Sequence, residues 1–188
     1  MASTADIKNG LCIDFNHDLW QIVQFQHVKP GKGAAFVRTK IRSLTTGRVL
    51  ENTFPSGAKI NIIRVENRKY QYLYNDDQGY HFMNMDDYNQ IYLPKDLISA
   101  PDLLKEGQDV EILFHAELET ALSCSLPATV DLKVIYTEPG MKGDTATNTL
   151  KPAKVETGAS VHVPLFVNEG DMIRITTEDG KYSERVKS

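Results

Sequence analysis

Residues 18–28 read DLWQIVQFQHV. In an extended chain Leu19, Gln21, Val23, Phe25 and His27 fall on one side, and Trp20, Ile22, Gln24, Gln26 and Val28 on the other. Alternation with a period of two suits a half-buried antiparallel strand and not a helix. Residues 35–43, AFVRTKIRS, repeat the pattern, with Ala35, Val37, Thr39 and Ile41 against Phe36, Arg38, Lys40 and Arg42. Outward from this pair, short apolar runs at 11–15 and 61–65 flank a turn at 45–48, TTGR. Several short strands joined by turns predict a small barrel or sandwich.

The same style continues. Residues 70–74, 80–85 and 90–93 read as strands separated by the turn-forming stretches NDDQG and NMDDYN. One short helix is expected after Ser99, which can cap it, with Pro101 in its first turn, Asp102 at the capping-box position and Gly107 as its stop. Strand character resumes at 109–115 and 118–126, and the whole stretch fits a five-stranded Greek-key barrel of oligonucleotide-binding type. A further strand is expected at 130–136, then a long polar loop at 138–152, then strands at 160–163, 171–177 and 181–186. Asp179-Gly180 joins the last two as a hairpin. The expected architecture is therefore all-β, in three segments: 1–64, 65–128 and 129–188.

Composition narrows the function classes. The 188 residues are 41% hydrophobic and 24% charged, a globular mix. Net charge is −4, which excludes a uniformly basic nucleic-acid binder but not one with local basic patches. The charge is polarised. Segment 1–64 holds 9 Lys and Arg against 4 Asp and Glu, 65–128 holds 4 against 12, and 129–188 holds 8 against 9. A positive end can be drawn to phosphate while an acidic middle resists lying flat on RNA, although small domains also differ by a few charges without functional meaning. MASTADIKNG lacks the apolar core of a signal peptide, and no apolar run approaches a membrane span, so a cytoplasmic protein is expected. Cys12 and Cys124 lie far apart in apolar stretches without a CxxC, which reads as two reduced core thiols.

Catalytic and metal-binding patterns are missing. His17, His27, His81, His115 and His162 have no HxH or HExxH spacing, and Asp76-Asp77 and Asp86-Asp87 read as solvated turns. Ser123-Cys124-Ser125 reads as strand packing. Neither a metal nor a cofactor is expected, nor an enzyme. Tyr70, Tyr72, Tyr74, Tyr80, Tyr88 and Tyr92 crowd the middle segment, where acidity disfavours base stacking and packing is the better reading. The loop Lys29-Pro30-Gly31-Lys32-Gly33-Ala34 is more informative. Pro30-Gly31 marks a turn, and Gly33 permits backbone angles other residues resist. Lys32 would sit at a hairpin tip, accessible and free of a carboxylate, as phosphate contact or modification of the amine requires. On the loop alone, an ordinary solvated turn lysine is the better reading.

Three segments together resemble the bacterial elongation factor P family: KPGKGAAFVRTKIR at 29–42, YLYNDDQGYHFMN at 72–84, and EPGMKGDTAT at 138–147 followed by KPAKVETGASVHVPLFVNEGDMIRI at 151–175. The resemblance runs in order over nearly the whole chain. It implies a basic KOW-like, SH3-like first barrel and two oligonucleotide-binding-type barrels in an L-shaped, tRNA-like arrangement. It also implies a monomer that binds the 70S ribosome beside the P-site peptidyl-tRNA and relieves stalling at consecutive prolines. By resemblance Lys32 reaches toward the CCA end and is the target of a lysine-modifying enzyme, with Pro30, Gly31 and Gly33 shaping the tip. Tyr182 and Arg185 match tRNA-contacting positions. Gly143, Asp144 and Thr145 match a loop that faces the small subunit and the E-site codon of the mRNA. A divergent paralogue, a generic RNA-binding barrel, or an enzyme using Cys124 or the histidines are the rival expectations.

Overall fold

The computed structural model describes residues 2–139 and 149–186. Sixteen strands form three sheets among them, and their only helices are the 3-10 turns Thr4–Asp6, Lys95–Leu97 and Pro101–Leu103. The first sheet contains β1 (Ala2–Ser3), β2 (Cys12–Phe15), β3 (Asp18–Val28), β4 (Phe36–Ser43), β5 (Val49–Pro55) and β6 (Lys59–Ile62), in the order β1-β6-β2-β3-β4-β5. The second contains β7 (Val65–Asp76), β8 (Gly79–Asn84), β9 (Gln90–Leu93), β10 (Asp109–His115) and β11 (Thr120–Ser125), in the order β11-β10-β7-β8-β9. The third contains β12 (Thr129–Thr137), β13 (Leu150–Val155), β14 (Ser160–Pro164), β15 (Met172–Thr176) and β16 (Tyr182–Val186), in the order β14-β13-β12-β15-β16. The chain packs as two compact units, Met1–Asn67 with Leu113–Ser123, and Arg68–Ile112 with Cys124–Ser188.

The expected alternation holds through β4 but in β3 only as far as Ile22: a bulge at Val23 exchanges the faces, so Phe25 packs on the core side with Trp20 and Ile22 while Gln24 and Gln26 are exposed. Trp20 and Ile22 on β3 and Val37 and Ile41 on β4 are buried, while Arg38, Lys40 and Arg42 are exposed. Ile7, Ile13, Phe54 and Ile60 complete this core. Ile22 and Ile41 have no exposed surface, and burying such a side chain contributes about 1.5–3 kcal/mol each. Thr39, also buried, donates its hydroxyl to the Asn52 carbonyl at 2.8 Å, so its polar atom is satisfied. In the third sheet Leu132 and Val134 on β12, Val155 on β13, Val163 on β14 and Ile173 and Ile175 on β15 are equally inaccessible.

Three expectations need correction. The helix after Ser99 is only the 3-10 turn Pro101–Leu103. Its N-cap is Ala100, without a side-chain cap, because the Ser99 hydroxyl instead accepts the Leu126 amide at 3.4 Å. Leu103 and Leu104 are adjacent and both buried, which a one-sided surface helix does not provide. The stretch 49–55, given no element from sequence, is β5, paired with β4 along its whole length. The polar loop expected through residue 152 ends sooner, because Leu150–Val155 forms β13 between β12 and β14.

Candidate functional site

The tip loop grows from the longest hairpin of the first sheet. Pairing of β3 with β4 runs from Trp20 opposite Ser43 to Val28 opposite Phe36, broken by a bulge at Val23. On the other side of β4, Phe36 pairs with Pro55, and the Ser56 amide donates to the Ala35 carbonyl at 3.0 Å. The base of the loop is thus braced by strands on both sides of β4, while residues 29–34 are exposed. Gly33 has φ +111°, in the region where side chains with a Cβ are strained. A Cβ there would meet only Pro30 Cγ at 3.8 Å, so backbone angle and not space demands the glycine. Lys32 makes no ion pair or side-chain hydrogen bond among the described residues, and its amine is open to a ligand.

A row of cations leads to this tip. Arg38, Lys40 and Arg42 share the exposed face of β4, opposite Gln26, Gln24 and Gln21 of β3. Arg42 donates to Gln21 Oε1 at 2.9 Å. The alternation in 35–43 puts these three on one face but does not by itself assign them to a site. The usable signal was three positive charges at a spacing of two on a strand whose other face is apolar.

The second candidate cluster is on the third sheet. Tyr182 and Arg185 stand three residues apart on β16, which in a regular strand would send them to opposite faces. A bulge changes the parity. Ile175 pairs with Tyr182, Arg174 with Glu184 and Ile173 with Arg185, leaving Ser183 as the extra residue. Tyr182 and Arg185 therefore share one side. The Arg185 guanidinium lies 5.6 Å from the centre of the Phe166 ring and 3.7 Å from Asp171. Burial pushes the Tyr182 hydroxyl above its ordinary pKa, so it stays a neutral donor. Phe166 and Asp171, which the sequence reading did not single out, hold the arginine head. On the other face Arg174 bridges Asp131 at 2.8 Å and Glu184 at 2.6 Å.

Gly143, Asp144 and Thr145 lie outside the described residues. The end of β12 and the start of β13 are tied together. Thr137 donates to the Pro152 carbonyl at 3.0 Å, and the Lys151 Nζ, on a residue only 5% exposed, donates to the Glu138 carbonyl at 2.7 Å.

The thiols offer no nucleophile. Both are buried, and burial raises Cys12 above its ordinary pKa and Cys124 to about 12, so each stays protonated near neutrality. No group of three or more His, Cys, Asp or Glu among the described residues could hold a metal ion. No helix among them is long and apolar enough to cross a membrane.

Comparison with known proteins covers the chain from end to end. Residues 3–60 match the family model "Elongation factor P (EF-P) KOW-like domain", 65–120 match "Elongation factor P (EF-P) OB domain", and 130–185 match "Elongation factor P, C-terminal". The chain is 58% identical to the elongation factor P of Flavobacterium johnsoniae over 187 residues, covering 100% of both chains. It is equally 58% identical to that of Christiangramia forsetii, again over 100% of both. In fold it is similar to a solved structure titled eukaryotic translation initiation factor 5A from Methanococcus jannaschii, at TM-score 0.51 and 21% identity, covering 67% of this chain and 90% of that one. Full-length identity, the KOW-like and oligonucleotide-binding domains and the all-β fold agree: the chain belongs to the elongation factor P family of translation elongation factors.

Proposed function

We propose that this protein binds the ribosome beside the P-site peptidyl-tRNA and stimulates peptide bond formation where consecutive prolines stall it. The observation that carries the reading is the unpaired Lys32 amine on a hairpin braced along both sides of β4. Proline is a constrained, slow partner in peptide bond formation. A factor that holds the CCA end in its reactive position lowers the entropic part of the barrier and needs no acid or base of its own. Strand anchoring supplies the precision. The row Arg38, Lys40 and Arg42 gives the same face phosphate affinity. Tyr182 and Arg185 contact the tRNA elsewhere, and Gly143, Asp144 and Thr145 face the E-site codon. A lysine-modifying enzyme extends Lys32 and its reach. The protein acts as a cytoplasmic monomer without a cofactor, and the ribosome supplies all the chemistry.

The test is reconstituted synthesis of a Pro-Pro-Pro peptide. Lys32→Ala is expected to slow rescue by at least about tenfold while ribosome binding stays near wild type. An unchanged rescue rate would remove the tip from the mechanism. Arg185→Ala is expected to lower affinity only for ribosomes carrying P-site tRNA, and equal affinity with and without that tRNA would exclude its proposed contact.

A further inference from the structure

Tyr70, Tyr72 and Tyr74 alternate in sequence and by simple parity belong to one face of β7. The first two are buried, but Tyr74 is 46% exposed. A bulge at Leu73 causes the change: Tyr72 pairs with Phe82, whereas Tyr74 pairs with His81, the next residue along β8. Phe82 points inward with no exposed surface, so its neighbour His81 turns to the opposite face together with Tyr74, where the His81 side chain is only 13% exposed. His81 in turn pairs with Tyr92 on β9, which is 59% exposed. Three rings from three adjacent strands thus form one row on the outer face. Tyr74 and His81 stack at 4.5 Å with 17° between their planes, and the His81 and Tyr92 ring centres are 6.1 Å apart. Bulges re-aim side chains, and this one moves a large aromatic residue from the core side into water.

The surroundings select what the row would hold. Asp76 Oδ1 lies 2.9 Å from His81 Nε2, at ion-pair distance but not aligned as a hydrogen bond, and Asp77 beside it is exposed. The nearby Lys95 is engaged by Asp102 at 3.0 Å. Residues 65–128 carry 12 acidic against 4 basic side chains. A nucleobase could stack here, but its phosphates would meet this acidity. A guanidinium is planar, stacks on tyrosine faces and is attracted by carboxylates, whereas an ammonium lacks the flat surface.

We propose that the outward row Tyr74–His81–Tyr92 is a docking surface for an arginine-bearing segment of a basic protein partner. The arginine lies over an exposed tyrosine ring while Asp76 and Asp77 favour its charge. β9 is an edge strand, so a bound segment can approach from its free side.

The test is titration of the full-length protein with a penta-arginine peptide, followed by NMR of the aromatic ring protons, with penta-lysine and a uridine pentanucleotide in parallel. Saturable shifts are expected at Tyr74, His81 and Tyr92 with penta-arginine, and affinity several-fold weaker with penta-lysine. Tyr74→Leu/Tyr92→Leu is expected to weaken penta-arginine binding by about tenfold, two exposed cation–aromatic contacts being lost. Tyr74→Phe/Tyr92→Phe, which keeps both faces, retains binding and guards against an effect of the substitutions on folding. Lys32→Ala leaves it unchanged, which separates this surface from the tip. Shifts spread evenly over the acidic segment, equal affinity for penta-lysine, tighter binding of the uridine pentanucleotide, or no loss in the double leucine variant would each overturn the proposal.

Discussion

Lys32 and Lys151 show how position decides what one chemical group does. Lys32 is exposed at a glycine-shaped tip and meets no partner among the described residues, so its charge is available outside the molecule. Lys151 is buried, and its ammonium is spent on the Glu138 carbonyl, where it ties two strand ends. The cysteines make the complementary case, in which burial silences a reactive group. Both folded-state thiol pKa values are raised, so any stability they lend is present below the ordinary value of 9.0 and fades as pH climbs through the folded value, about 12 for Cys124. Reaction with a disulfide reagent at pH 8 is accordingly expected to be at least about a hundredfold slower in the native protein than in urea. Prompt native labelling of Cys124 would contradict its burial.

Elements here are shaped by bulges and tight approaches as much as by alternation. Gly79, at the turn between β7 and β8, has φ +143°, and a Cβ built there would stand 2.5 Å from the Leu93 carbonyl oxygen. Because the obstacle is backbone, β8 and β9 must separate to admit it. Gly79→Ala is expected to cost about 1–3 kcal/mol, read as a lowered urea midpoint. A midpoint unchanged from wild type would mean the turn relaxes freely. Where apolar and polar residues alternate cleanly, as in 35–43, the strand and its buried face are both legible from sequence; in 18–28 the strand is legible, but its faces exchange at the Val23 bulge. β5 was not, because VLENTFP buries only Phe54 fully and presents Glu51, Thr53 and Pro55 to solvent. β13 was hidden by Pro152, a residue that argues against a paired strand, yet here its carbonyl accepts the Thr137 hydroxyl. The exposed place of Lys32 between β3 and β4 could be read directly. The grouping of Tyr182 with Arg185, and the outward turn of Tyr74, could not, since each depends on one extra residue that parity counting does not foresee.

Charge organises the whole molecule. Its first 64 residues carry 9 basic against 4 acidic side chains and the next 64 carry 4 against 12. Docking on RNA through the basic segment alone predicts ribosome affinity that falls with rising salt, by an amount set by a few phosphate contacts and not by many. Measuring affinity across a salt series checks this, and a salt-independent affinity would contradict it. Acid response follows from the carboxylates. Asp76 is held below its ordinary pKa by His81 and the Gln78 amide, Asp131 by Arg174, and Asp179 at about 2 by the Thr176 hydroxyl and Lys181. Folded-state values lowered in this way give stability that is present above the ordinary value of 3.8 and lost as pH falls toward 2. Urea midpoints are therefore expected to vary little through the neutral range and to drop below about pH 4. A decline already under way near pH 6 would point to other groups. Whether the tip amine meets the 3′ end of the P-site tRNA is read out by placing a photo-crosslinking side chain at position 32 on ribosomes stalled at consecutive prolines. Adducts are expected on the terminal CCA nucleotides of the peptidyl-tRNA. Adducts confined to ribosomal RNA or protein, with the CCA end untouched, would contradict it.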